Sequence, residues 1–182
     1  NVYASVKKNI KLFRELHKSG VKVIPGELAW KKKIEEFERL KRESDSAFGI
    51  AVGRRKIRDI HIFFDAIVKY FRSRHRVIRR NIRKAQKPLV MRYGNAHSIL
   101  SRELRKENIK SSREISPNVF NWYEIVIRKL MLGKKVTDFE YKKGFISRLY
   151  LDYESKAITE SQLHFEFLLS TTLLNRLKEE QI

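Results

Sequence analysis

The chain has 182 residues and carries 41 Lys and Arg against 21 Asp and Glu, which gives a formal net charge of +20 at pH 7. Its hydrophobic content of 42% is enough for a core, which argues against a chain that is disordered throughout. The absence of cysteine excludes disulfides and thiolate metal sites. Since so positive a field concentrates phosphate-bearing molecules around a protein, we expect an anionic partner.

Two sequence features bear on the compartment. No apolar run approaches the ~18 residues that a helix needs to span a bilayer, so a membrane protein is not expected. The sequence begins with Asn1 instead of Met, which suggests a processed or trimmed N-terminus, so any targeting peptide would lie outside the sequence. Because no cysteine requires an oxidising environment, we expect an intracellular protein of the cytoplasm or an organelle matrix.

The first 53 residues predict two helices and two non-helical segments. Apolar residues at helical spacing predict a helix over about residues 2–18, and residues 21–26 (VKVIPG) predict an extended connector. A second helix is predicted to begin near Trp30 and to end near Ser44. Residues 47–53 are predicted to form a small apolar loop that packs inward.

The middle third predicts one long helix and one short one. Residues 54–87 contain no Gly or Pro and have apolar residues at helical spacing, which predicts a helix of about 30 residues and roughly 45 Å. Because helical geometry is disfavoured before a proline, this helix should end one to three residues before Pro88. Asn95 is predicted to cap a short basic helix that Asn108 closes. We expect this short helix to bury Ile99, Leu100 and Leu104.

The last third predicts a three-helix unit. Ser116 followed by Pro117 is a strong helix start, and the helix that ends at Gly133 is expected to be buried on most sides. Thr137 to Glu140 and Thr159 to Gln162 fit the capping box, so two further helices begin there. The core face predicted for the first of these helices consists of Phe145, Ile146, Leu149, Tyr150 and Tyr153. The face predicted for the second consists of Leu163, Phe167, Leu168, Leu173, Leu174 and Leu177.

These patterns together predict an all-α protein of about seven helices, with one long basic central helix and a C-terminal three-helix unit. We divide the chain into a basic helical region over residues 1–110 and the three-helix unit over residues 111–182. The alternative is that both form one continuous domain.

Charge is distributed unevenly over this architecture. The net charge is +5 in residues 1–53, +14 in residues 54–110 and +1 in residues 111–182. A basic protein selected only for solubility has no reason to segregate charge in this way, whereas a protein with one docking face does. The neutral, aromatic-rich C-terminal unit is therefore expected to bind other protein subunits.

The sharpest feature of the middle third is residues 72–87 (RSRHRVIRRNIRKAQK). Its arginines recur three and four residues apart and should form one stripe, because such residues are neighbours on a helix. Guanidinium groups bind phosphate bidentately and stack on bases, and His75 within the stripe is interpreted as one more ring that faces RNA. The members of the stripe are Arg72, Arg76, Arg79, Arg80 and Arg83.

This segment resembles the arginine-rich peptides that bind RNA as helices, and the resemblance favours RNA over DNA. The full set of predicted nucleic-acid-binding residues is Arg54, Arg55, Lys56, Arg58, Lys69, Arg72, Arg74, Arg76, Arg79, Arg80, Arg83, Lys84, Lys87 and Arg92.

A less specific interpretation applies to each charged run, since a charged helix face is usually just a solvated surface. The excess of +14, with few acidic residues to pair with it, argues against that interpretation for the middle third. Residues 31–33 (KKK) beside Trp30 could form a second contact with a stacking ring, although such a triplet is more often plain surface. Residues 54–56 (RRK) should oppose the dipole at the start of the long helix, which mildly favours a functional role.

Candidate catalytic residues are few. His61 and Asp65 lie four residues apart on the long helix with Asp59 nearby, but no second pair of matching spacing completes a metal site. The glycines form no phosphate-binding loop, and no acidic cluster suggests two-metal nuclease chemistry. We therefore expect a protein without enzymatic activity, metal or cofactor.

The sequence as a whole favours a structural subunit of a ribonucleoprotein assembly, such as a ribosome or an RNA-guided complex, that binds the RNA backbone. The first alternative is a DNA-binding protein, with a helix-turn-helix near residues 95–110 or at the helices that begin with Thr137 and Thr159. Further alternatives are an adaptor that binds only proteins and a peripheral protein that binds anionic lipid. The last of these would need exposed apolar residues beside the stripe, for which Phe63 and Tyr70 are the candidates.

Overall fold

A computed structural model describes residues 31–85, 99–110 and 121–154, with the isolated positions 14, 15, 18–20, 29 and 176. This part of the chain is all-helical and has no strand, which confirms the predicted fold class. Of the seven predicted helices, the first and the last lie largely outside the described residues. The helices are α1 (Lys31–Arg54), α2 (Ile57–Lys84), α3 (Leu100–Lys106), α4 (Trp122–Met131) and α5 (Asp138–Glu154).

Helices α1 and α2 form an antiparallel hairpin through a turn at Arg55 and Lys56. The chain reverses there because Arg55 adopts the left-handed conformation, with φ of 54°. The hairpin pairs the start of α1 with the end of α2, since Ser73 donates a hydrogen bond to Glu36. Small buried residues on α1 allow α2 to lie close, namely Ser44, Ala47 and Ala51.

Two predictions about α1 are wrong. The helix does not end near Ser44, and residues 47–53 form its last turns instead of a loop. Ser44, Asp45 and Ser46 can form a cap or a turn, and Gly49 and Gly53 each add a cost of about 1 kcal/mol relative to Ala in a helix. Burial of Ala47 and Ala51 against α2 outweighs it, so tertiary packing decides the conformation. The predicted inward packing of this segment is correct for those two alanines.

The main core surrounds the N-terminal half of α2. Phe63 and Phe64 are almost wholly buried and are joined by aromatic rings from α1, α4 and α5. Gly144 lets α5 lie close to α2 and α4, because a Cβ there would lie 2.8 Å from Val126 Cγ2 and 2.9 Å from Phe64 Cζ. Any larger residue would push α5 away from both α2 and α4.

Local capping signals fix the ends of α4 and α5. The side chain of Asn121 accepts a hydrogen bond of 2.7 Å from the backbone N–H of Glu124 and so caps α4. The predicted start at Ser116 and Pro117 lies outside the described residues. Gly133 follows α4 with a φ of 68°, which confirms the predicted stop.

The capping box at the start of α5 is confirmed. The backbone N–H of Glu140 donates to Thr137 Oγ1 at 3.2 Å, and that of Thr137 donates to Glu140 Oε2 at 3.1 Å. The second capping box, at Thr159, lies outside the described residues.

The predicted burial of α5 needs one correction. On α4, Val126 and Ile127 are fully buried and every other residue of the helix is partly buried. On α5, Ile146 is 36% exposed and Tyr141 takes a place in the core with Phe145. The reason is the close contact at Gly144, which sets the rotation of α5 and turns Ile146 outward.

A second, smaller core joins α3 to the C-terminal half of α2. Ile78 and Ile82 of α2 pack against Leu100 and Leu104 of α3, with Ile109 at the edge. The predicted burial of Ile99, Leu100 and Leu104 is confirmed. The long helix ends at Lys84 with Ala85 as its C-cap, close to the predicted end, and α3 is closed by Asn108 at a φ of 60°. The predicted cap at Asn95 lies outside the described residues.

Candidate nucleic-acid interface

The C-terminal half of α2 carries positive charge alone. Residues 66–84 contain eight Lys and Arg and no Asp or Glu, and they all belong to one helix. The apolar residues of the same segment, such as Val77 and Ile78, are buried. The amphipathic pattern therefore turns cations and core to different sides of the helix.

Five of these cations form one exposed line along α2, which we call the basic row. Each lies three or four residues from the next, and all are exposed to solvent, so they share one helix face. At ~1.5 Å per residue the row is about 21 Å long, and Lys84 lies exposed at its end. The basic row consists of Lys69, Arg72, Arg76, Arg80 and Arg83.

The predicted stripe differs from this row in one member. Arg79 has only 27% of its side chain exposed, and its Nη1 lies 2.9 Å from Oε1 of Glu107. Arg83 binds the other oxygen of the same carboxylate, with Nη2 at 2.8 Å and Nε at 3.0 Å from Oε2. Glu107 thus links two arginines of α2 to the end of α3.

His75 is turned away from solvent, and its predicted contact with RNA is wrong. Its side chain is 1% exposed, and Nδ1 lies 2.9 Å from Oε2 of Glu103 on α3. Burial alone would raise the pKa of Glu103, but the hydrogen bond with His75 and the charges of His75, Arg79 and Lys106 lower it below its ordinary value. His75 therefore holds α3 against α2.

The opposite flank of the row contacts α1 and α4. Arg72 donates a hydrogen bond of 3.0 Å to the backbone oxygen of Leu130, at the C-terminal end of α4. Hydrogen bonds from Lys33 and Ser73 lower the pKa of Glu36, and the nearby charge of Arg76 adds to this effect. Contacts with α4 and α1 therefore position Arg72 and Arg76, while both side chains stay exposed to solvent.

Arg74 and Lys33 contact aromatic rings instead of joining the row. The guanidinium of Arg74 lies 5.1 Å from the ring centre of Tyr70 and 5.8 Å from that of Phe71. Lys33 forms an ion pair with Glu36. In the predicted second contact at residues 31–33, only Lys31 and Lys32 are exposed. Its stacking ring, Trp30, lies outside the described residues.

The predicted cations at the start of the long helix occupy a different environment from the one expected. Arg54 is the last residue of α1, where a cation is favoured by the helix dipole, and Lys56 is the N-cap of α2. The prediction that residues 54–56 all oppose the dipole of the long helix is therefore wrong. Arg58 is exposed, but Ile62 and Asp65 separate it from the basic row.

Two of the predicted site residues, Lys87 and Arg92, lie outside the described residues. The structure instead adds cations on α3 that were not among the predicted site residues. Their spacing opposite the apolar Leu100 and Leu104 is a helical pattern that could have identified them. The exposed cations of α3 are Arg102, Arg105 and Lys106.

The predicted catalytic candidates do not come together as a pair. His61 Nε2 lies 3.0 Å from Oδ1 of Asp138 on α5, not beside Asp65, and its ring centre lies 4.1 Å from that of Tyr141. Burial, together with the charges of Asp65 and Asp138, raises the pKa of Tyr141. Among the residues that the structure describes, no group of three or more His, Asp or Glu side chains could hold a metal ion.

Comparisons with known proteins identified no relative of this chain. The sequence matches no known protein family, and neither the curated proteins nor the solved structures contain a match. Within the described helices, none combines the length and the apolar character that crossing a bilayer requires.

Proposed function

We propose that this chain is a non-enzymatic RNA-binding protein that binds the sugar-phosphate backbone through the basic row. The single observation that carries the proposal is an exposed line of five cations on a helix segment with no acidic residue. A regular array of cations neutralises a regular array of phosphates and releases the counterions condensed on them.

The fold supports a passive scaffold for such a surface. Arg72 is hydrogen-bonded to the end of α4, so its guanidinium group is held before any ligand arrives. A side chain that is already ordered loses less conformational entropy on binding. The remaining N–H groups of this guanidinium can donate to phosphate oxygens.

The proposed biological setting is a ribonucleoprotein assembly, in which the rest of the chain binds other protein subunits. The charge of +1 over residues 111–182 supports this division, because a neutral surface does not repel acidic or basic protein partners.

DNA remains the alternative polymer, but the described helices do not favour a helix-turn-helix. Among the described helices, α2 and α3 are separated by residues 85–99, so these two are not joined by the three or four residues of that motif. On α5 the first turn carries Asp138 and Glu140, and Lys143 is buried. A helix with these features suits a core better than a major groove.

The test compares two variants that lose the same charge. The row variant replaces by Gln three cations of the basic row, Lys69, Arg76 and Arg80, together with the exposed Lys84 at its end. The control variant replaces four exposed lysines elsewhere, at Lys18, Lys41, Lys134 and Lys135. Fluorescence anisotropy should then be measured with labelled single-stranded RNA, with duplex DNA and with anionic vesicles.

We expect the row variant to lose at least about 100-fold in RNA affinity, while the control loses less than about tenfold, because only the row contacts phosphates. Equal losses in the two variants would show that net charge alone binds RNA and would contradict the proposal. Tighter binding of duplex DNA or of vesicles than of RNA would assign the row to that ligand instead.

A further inference from the structure

Helices α1 and α3 flank the C-terminal half of α2 on different faces. On the α1 side, Ser73 donates a hydrogen bond to Glu36, and the ring centre of Tyr70 lies 6.4 Å from that of Phe37. On the α3 side, the contacts come from His75, Ile78 and Ile82. The basic row is exposed between these two faces, so it forms the centre line of a surface to which three helices contribute.

Helix α1 adds a cation beside the row. Hydrogen bonds from Lys33 and Ser73 lower the pKa of Glu36, and the charge of Arg76 contributes, which places Glu36 at the edge of the row. Lys32 lies four residues before Glu36, so its exposed side chain is on the same face of α1. Because α1 and α2 run antiparallel, Lys32 lies toward the C-terminal end of the row.

Helix α3 adds a cation on the other flank. His75 contacts Glu103, and Arg79 contacts Glu107. Each pair is separated by 28 residues, so α3 runs beside α2 in the same direction. Burial raises the pKa of Glu103, while the hydrogen bond with His75 and the nearby charges, among them that of Lys106, lower it below its ordinary value. The exposed side chain of Lys106 therefore lies on the side of α3 that borders the row.

Carboxylates separate the row from both flanking lysines. Glu36 borders the row on the α1 side, and Glu103 and Glu107 border it on the α3 side. These carboxylates repel phosphate, so a backbone bound to the row does not spread sideways onto the lysines. The axes of packed helices lie about 8–10 Å apart, so each lysine is placed to bind a second backbone at roughly that distance from the first.

The aromatic rings of the protein pack inward. Each Phe, Trp and Tyr whose side chain the structure describes is buried or half-buried. Proteins that bind single strands stack the unpaired bases on accessible rings. In a double helix the bases already stack on one another, and proteins contact mainly phosphates and 2′-hydroxyls. The exposed cations of the described surface suit the second kind of ligand.

We infer that this surface binds double-helical RNA, such as the stem of a folded RNA, in preference to a single strand. The inference rests on the proposed function and names its substrate class. In a double helix, the second backbone lies on both sides of the first, across the minor groove on one side and the major groove on the other. One backbone follows the basic row, and Lys32 and Lys106 contact the second backbone on either side. A single strand reaches only the row.

The experiment measures binding of the full chain to two labelled RNAs with equal numbers of phosphates, a duplex of about 12 base pairs and an unpaired uridine strand. Fluorescence anisotropy is recorded over a series of salt concentrations. The flank variant combines Lys32→Gln with Lys106→Gln. Its matched control combines Lys134→Gln with Lys135→Gln, which changes two exposed lysines that precede α5. Both variants lose the same charge, and neither changes the basic row.

We expect the wild type to bind the duplex at least about tenfold more tightly than the uridine strand, because more phosphates are contacted. In the flank variant, the slope of log affinity against log salt should become shallower by about 2 for the duplex and by less than about 0.5 for the uridine strand. The control should change either slope by less than about 0.5. Because all four lysines are exposed, thermal unfolding of both variants should match that of the wild type.

Equal binding of the two RNAs by the wild type, or tighter binding of the uridine strand, would overturn the inference and leave the proposed function standing. The same holds if the flank variant and the control change the duplex slope equally, or if the flank variant changes both slopes equally. Failure of both RNAs to bind would overturn the proposed function, and the inference with it.

Discussion

The N-terminal half of α2 is surrounded by rings and aliphatic side chains, whereas its C-terminal half combines a smaller apolar core with ionic contacts to α3 and the residue after it. In the first half, Phe63 and Phe64 contact aromatic residues of three other helices. In the second half, His75 contacts Glu103 of α3, and Arg79 and Arg83 contact Glu107, the C-cap of that helix. One continuous helix therefore joins a packed core to a charged surface.

This difference indicates which residues should affect stability and which should affect the proposed RNA binding. Apolar burial stabilises the fold wherever the partners are close packed, and it tolerates little change of volume. Exposed ion pairs contribute little to stability, so the residues of the basic row can be changed with modest effect on folding. We expect mutations in the first half to change unfolding and mutations in the second half to change affinity.

The largest effect on stability is predicted at Gly144. Replacement by Ala places a Cβ within 3 Å of Val126 and Phe64, so we expect a loss of about 1–3 kcal/mol in the free energy of unfolding. Gly49→Ala is the control, because a Cβ there meets nothing within 4 Å on an exposed helix face and should gain up to about 1 kcal/mol. Urea unfolding of both variants measures the contrast, and the same sign for both would contradict the packing.

A smaller effect is predicted at Glu103, and it depends on pH. Because the pKa of Glu103 is lowered from 4.5 in the folded state, its ionised form stabilises the fold above that value. This contribution is lost as the pH falls through the folded pKa. We expect Glu103→Gln to flatten the decrease in unfolding free energy below about pH 4.5.

The matched control for Glu103 is Glu38→Gln, which changes an exposed carboxylate on α1. Urea unfolding at several pH values between about 3 and 6 compares the two variants with the wild type. The same flattening in both variants would contradict the special role of the contact between Glu103 and His75.

The smallest effect is predicted at Glu107 and concerns affinity. Its carboxylate occupies guanidinium groups of Arg79 and Arg83 that could otherwise bind phosphate. We expect Glu107→Gln to raise RNA affinity about two- to fivefold, more than Glu38→Gln does. Weaker binding by Glu107→Gln would mean that the carboxylate orients the two arginines for phosphate instead of competing with it.

Features that depend on neighbouring residues could be predicted from the sequence. The capping box of Thr137 and Glu140, the stop at Gly133 and the closure at Asn108 are local, and the structure confirms each of them. The end of the long helix was also predicted closely, because Pro88 restricts the residue before it. These signals act within a few residues and need no knowledge of the fold.

Features that depend on distant partners were missed. The side chain of His75 was predicted to face RNA because Glu103, its partner, lies 28 residues away. The helical state of residues 47–53 depends on burial of Ala47 and Ala51 against α2, which no local pattern reveals. For the candidate interface, the helical spacing predicted the basic row. The ion pair between Arg79 and Glu107 could be identified only from the structure.

The most direct test of the basic row is the salt dependence of RNA binding by the wild type. If about six phosphates of a single strand are neutralised, the affinity plotted against salt on logarithmic axes should have a slope of about −4 to −5. Loss of the four cations changed in the row variant should reduce that slope by about 3, while the control variant keeps it. A flat response in the wild type, or the same slope in the wild type and the row variant, would contradict the account.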